Sequence, residues 1–82
     1  MEKTEDLLLS GKEALVQKKI DKSIELFSKV LEREPNNSVA LFSRGTAYFS
    51  KKDYQQALHD FTKCIKLKPG SAKLYVAGAM LG

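Results

Sequence analysis

Eighty-two residues make at most one small domain, which buries only roughly 60% of the surface its unfolded chain exposes, and the single cysteine, Cys64, excludes an internal disulfide. A composition 43% apolar and 29% charged is that of a folded chain and excludes a disordered one. The net charge of +4 is local, because residues 1–60 carry ten Lys/Arg against ten Asp/Glu while Lys63, Lys66, Lys68 and Lys73 supply the excess.

The chain reads as helices separated by short polar turns. Thr4 suits an N-cap, with Glu5 and Asp6 favouring the positive end of the helix dipole, and this first helix runs to about Val16 or Gln17. Lys18-Lys19-Ile20-Asp21 reads as a turn. The second helix carries Ile24, Phe27, Val30 and Leu31 on one stripe at helical spacing. It stops before Pro35, whose ring restricts Glu34 and which has no N–H to continue the ladder. Asn36-Asn37-Ser38 is a polar connector in which Asn37 or Ser38 can cap a third helix containing Leu41, Gly45, Ala47, Tyr48 and Phe49. Lys51-Lys52-Asp53 forms the next turn, and a fourth helix bears Ala57, Leu58, Phe61, Cys64 and Ile65. Pro69-Gly70 ends it. Ser71 then caps a fifth helix from Ala72 to about Leu81, of which residues 76–82 carry no charge.

These elements recur with a period of 34. Leu7 falls on Leu41, Gly11 on Gly45, Lys18 on Lys52, Phe27 on Phe61, Lys29 on Lys63 and Pro35 on Pro69. A period of this length marks a repeat architecture, which works mainly through extended surfaces. Gly11 and Gly45 fall in mid-helix, where glycine costs about 1 kcal/mol against alanine. The cost makes sense where that side of the helix lies against a neighbouring backbone. Ser23 and Ala57 stand opposite, and Phe27 and Phe61 fill space about one turn further along.

The series Leu41, Gly45, Tyr48, Ala57, Phe61 and Pro69 resembles the tetratricopeptide repeat. Leu7, Gly11, Phe27 and Pro35 repeat it, with Ala14 at the usual aromatic position and Ser23 at the usual small one. The resemblance implies an all-α, right-handed solenoid of antiparallel helix pairs: repeat 1 over 4–37, repeat 2 over 38–71, and a truncated third repeat or capping helix over 72–82. It also implies a concave face lined by the first helix of each pair. The family's groove positions fall on Glu5, Leu8, Leu9, Lys12, Leu15 and Val16, then on Val39, Phe42, Ser43, Thr46, Phe49 and Ser50, then on Lys73, Val76, Ala77 and Met80. One class of the family grips the C-terminal carboxylates of heat-shock chaperones with Lys, Asn, Asn, Lys and Arg. Here those positions hold Leu8, Lys12, Ser43, Lys73 and Ala77, of which only Lys73 agrees, so that clamp is not expected.

Chemistry is sparse. His59 and Asp60 are adjacent on a helix and do not face each other as a catalytic dyad would. Cys64 lies on an apolar stripe, where an inert buried thiol is the plain reading. No second Cys or His stands at metal-ligand spacing and no glycine-rich phosphate loop follows a strand, so neither catalysis, cofactor nor metal is expected. The C-terminal lysines come without aromatic or Arg companions, which argues against nucleic acid. The start of the chain lacks a signal-peptide pattern and no run approaches the ~18 apolar residues of a membrane span, so a cytoplasmic chain is expected. The sequence therefore reads as a protein-interaction scaffold that takes a peptide or helix of a partner in its concave face. The alternative is self-association through the uncharged C-terminal helix. Among groove residues Phe42 stands out as a ligand contact, because Leu41 beside it already takes the packing position.

Overall fold

The computed structural model describes residues 3–67. Four helices follow in order: α1 (Thr4–Val16), α2 (Ile20–Arg33), α3 (Ser38–Ser50) and α4 (Tyr54–Leu67). The expected fifth helix, Ala72 to about Leu81, lies outside the described residues.

Short turns force each helix to double back on its predecessor. Between α1 and α2 the Lys19 N–H bonds to the Ala14 carbonyl at 2.8 Å and the Lys18 N–H to the Leu15 carbonyl at 3.0 Å. Between α3 and α4 the Asp53 N–H reaches Tyr48 at 2.9 Å and the Lys52 N–H reaches Phe49 at 3.0 Å. Both are Schellman closures, which require a left-handed residue just past the helix end. Lys18 (φ 63°) and Lys52 (φ 68°) take that conformation without being glycine. The turn is tighter than the sequence suggests: Ile20 and Asp21 already belong to α2, because the closure is complete at Lys19. Thr4 also departs from expectation. Lys3 occupies the cap position without a side-chain bond, and the Thr4 hydroxyl instead donates to Glu34 Oε2 at 2.5 Å across the α1–α2 pair. At α3 the cap is Asn37, whose Oδ1 accepts from the Ala40 N–H at 3.0 Å.

The helices stack in sequence, each packed on the one before, and α1 also touches α3. Among the described residues α2 and α4 do not meet. The first helices of the two pairs therefore converge on one side while the second helices splay on the other. That asymmetry gives the stack an inner face made of α1 and α3. The chain is an all-α solenoid.

Leu7, Val30 and Ala40 form the centre of the core, with Leu8, Leu26 and Leu31 packed on them, so this cluster joins α1, α2 and α3. Leu7, Phe27, Val30 and Leu41 are fully buried, and each contributes about 1.5–3 kcal/mol of hydrophobic stabilisation. The two glycines act differently from the sequence expectation. A Cβ on Gly11 would lie 2.6 Å from Phe27 Cε1, and one on Gly45 would lie 2.7 Å from Phe61 Cε1. The neighbour is thus an aromatic ring of the same repeat set directly over the glycine, not backbone and not a turn further on. Ser23, fully buried, donates its hydroxyl to the Ile20 carbonyl at 2.6 Å, which lets a polar residue stand where repeat 2 has buried Ala57.

Candidate peptide-binding face

Helical spacing puts Glu5, Leu8, Leu9, Lys12 and Val16 along one side of α1, and Val39, Phe42, Thr46 and Phe49 along one side of α3. α1 and α3 are in contact, with Leu7 of α1 and Ala40 of α3 meeting in the core. Glu5, Leu9, Lys12 and Val16 are exposed, while Leu8 and Leu15 are half-buried. On α3, Val39 is 44% exposed and Phe42 and Phe49 are each 59% exposed. No charged side chain interrupts the α3 row.

Two residues depart from the sequence reading. Ser43 is only 9% exposed and sits on the buried side of α3 with Ala40 and Ala47, so it offers little to a ligand. Phe42 is not free of internal packing: its ring lies 5.5 Å from the Phe61 ring at a tilted 53°. Leu41 does take the core position, but one turn of α3 leaves Phe42 within reach of the ring that covers Gly45. Phe49 similarly meets Tyr54 edge-on at 5.3 Å, across the α3–α4 turn. Both rings are thereby oriented while more than half of each remains open. Thr46 is half-buried, and its hydroxyl bonds back to the Phe42 carbonyl at 3.0 Å, which leaves its methyl group for the face. Lys73, Val76, Ala77 and Met80, and the self-association surface at 76–82, lie outside the described residues.

Sequence reasoning missed the polar core of the second pair. Arg44 Nε and Nη2 each bond Asp60 at 2.8 Å, and Nη1 donates to Ser28 Oγ at 3.2 Å. Asp60 is fully buried and Arg44 mostly so. The hydrogen bonds to Asp60 hold the Arg44 guanidinium pKa above its ordinary value against the opposing effect of burial, with the negative charge of Asp60 adding to the rise. Arg44 lies 5.9 Å from the Tyr48 ring centroid as well, so it ties α3 to α4 and to α2 at once. Its sequence trace is in the 34-residue offset: Ser10 and Leu26 occupy the equivalent positions, so both members of the pair appear together in repeat 2 alone. A second, exposed link joins Lys51 at the end of α3 to Asp21 at the start of α2 at 2.7 Å, which raises the Lys51 pKa.

His59 is exposed, and its Nδ1 stands 3.7 Å from Asp60 Oδ1, too far for a hydrogen bond. Cys64 is half-buried and its thiol donates to the Ser38 carbonyl at 3.6 Å. Among the described residues no group of three or more His, Cys, Asp or Glu could hold a metal ion, and no helix is long and apolar enough to cross a membrane. A depression of about 510 Å³ lies on α4, lined by Gln55, Leu58, His59, Thr62, Lys63 and Lys66. It is open to solvent and separate from the α1–α3 rows.

Two stacked antiparallel helix pairs that share an inner face define a helical-repeat protein. Residues 38–71 match the family model of the tetratricopeptide repeat, and the chain belongs to that family. It is 36% identical over 69 residues to the heat shock protein sti1 homolog of Schizosaccharomyces pombe, a match that takes in 84% of this chain and 12% of that protein. It is 39% identical over 66 residues to heat shock protein STI1 of Saccharomyces cerevisiae, covering 79% of this chain and 11% of the other. With a DnaJ homolog subfamily C member 3 homolog of Dictyostelium discoideum it shares 38% identity over 68 residues, or 83% of this chain and 14% of that one. The chain thus spans only a small part of the length of these curated relatives.

Proposed function

We propose that the chain is a protein-interaction module that holds a peptide or helix of a partner protein against the inner face of α1 and α3. The observation that carries this reading is the uncharged row of exposed Val39, Phe42 and Phe49 on α3, with Leu9 and Val16 exposed on α1. Contiguous apolar surface of this kind, edged by Glu5 and Lys12, suits the apolar stripe of an amphipathic helix. The aromatic rings are held by Phe61 and Tyr54 before a ligand arrives, which lowers the entropic cost of binding. Membership of the repeat family supports the class of function. The relatives named above are heat shock and DnaJ-type proteins, which makes chaperone-associated proteins the first partners to try. A carboxylate clamp is not part of the reading, because Leu8 and Ser43 replace two of its groups and Ser43 is buried.

Peptides selected by display against the chain provide the test. Phe42→Ala and Phe49→Ala should each raise the Kd of selected peptides at least tenfold, while Lys29→Ala, on the exposed side of α2, leaves it unchanged. Circular dichroism melts of each variant separate lost binding from lost folding. Equal affinity for wild type and both Phe variants, with folding intact, would remove the assigned face.

A further inference from the structure

Lys12 is an isolated charge in an apolar collar. On α1 the residues that share its side of the helix are Leu8 and Leu9, one turn before, and Leu15 and Val16, one turn after. Leu8 and Leu15 are half-buried, whereas Leu9 is 59% and Val16 83% exposed, so the collar is open to solvent. No acid stands at the spacing that would let α1 neutralise the lysine. Glu13 follows it directly in the chain and faces another side of the helix, and Glu5 lies two turns away. Among the described residues Lys12 takes part in no ion pair.

An apolar ligand stripe laid over this collar takes water away from the ammonium, and a covered charge without a partner is costly. A carboxylate on the ligand removes that cost and adds a charge-assisted hydrogen bond. We propose that Lys12 sets the specificity of the inner face by selecting ligands with one acidic side chain inside their apolar stripe. The inference rests on the reading that the α1–α3 face is the binding surface. The collar favours a side-chain carboxylate over one at a chain end. Because it extends a turn beyond Lys12 in both directions, a ligand that covers it continues past the lysine on either side. A basic residue at the same ligand position is rejected, because it meets like charge as water is lost.

A displayed library of amphipathic helical peptides, varied at the positions of the apolar stripe, provides the test. Selection on the wild-type chain should enrich Asp or Glu at one stripe position with apolar residues a turn to either side. Selection on Lys12→Met, which keeps helix propensity, should enrich an apolar residue there instead. For a peptide of the first pool, replacing its acid by leucine should raise the Kd at least tenfold on the wild-type chain. On Lys12→Met the same replacement should lower the Kd or leave it unchanged, and Lys12→Arg should retain the wild-type preference. Amidating the peptide's C-terminus should change none of these values. Identical pools, an equal loss of affinity on Lys12→Met, or a loss on amidation as large as on removing the acid would each overturn the proposal. Phe42→Ala should weaken the acidic peptide and its leucine form alike. If it weakens neither, the face itself is wrong and the role of Lys12 falls with it. If it weakens both while the coupling to Lys12 is absent, the face stands and the role of Lys12 alone is refuted.

Discussion

The clearest consequences of the structure lie at single residues. Gly11 and Gly45 look alike in the sequence, but their rings differ in freedom: Phe27 is fully buried and Phe61 only half-buried. A methyl group at Gly11 meets a ring that cannot retreat, whereas the Phe61 ring has open space on one side. Overpacking costs about 1–3 kcal/mol, and alanine returns about 1 kcal/mol of helix propensity. Urea unfolding should therefore show Gly11→Ala destabilised by up to about 2 kcal/mol and Gly45→Ala by clearly less. Equal losses would mean that the Phe61 ring is as fixed as Phe27. The left-handed lysines give the opposite sign. At Lys52 the backbone already has φ 68°, so Lys52→Gly should stabilise the chain by roughly 0.5–1 kcal/mol, read as a higher melting temperature. The identity of Lys18 with Lys52 was visible in the sequence, but lysine carries no mark of a left-handed turn, which only the backbone reveals.

Among elements, helix order and the stopping points were legible because proline, turn polarity and apolar spacing speak for themselves locally. Pro35 ended α2 as expected, and Asn37 capped α3. Thr4 misled because its cap competes with a bond to Glu34 thirty residues away, which no local pattern encodes. The same holds for Arg44 and Asp60, whose meaning depends on α3 and α4 lying side by side. Removing one partner leaves the other buried and unpaired, so Arg44→Ala should cost about 3–5 kcal/mol in chemical denaturation. The double variant Arg44→Ser with Asp60→Leu installs the residues that repeat 1 uses, Ser10 and Leu26. It should recover most of that loss, because no buried charge remains. A double variant as unstable as Arg44→Ala would show that the ion pair itself, rather than the avoidance of an orphaned charge, holds α3 to α4.

For the molecule as a whole, the 34-residue period predicted the stack, and the contact of α1 with α3 gives the stack an inner side. The candidate face was readable as positions but not as surfaces. Leu8, Leu15 and Ser43 share the spacing of the exposed residues, and only packing shows which of them are covered. The central claim is that ligands meet the α1–α3 rows and not the outer side of α4. Amide NMR spectra recorded during titration with a display-selected amphipathic peptide test it most directly. The account predicts shifts concentrated in Glu5–Val16 and Val39–Phe49; shifts clustered instead on Gln55–Lys66 around the α4 depression would contradict it.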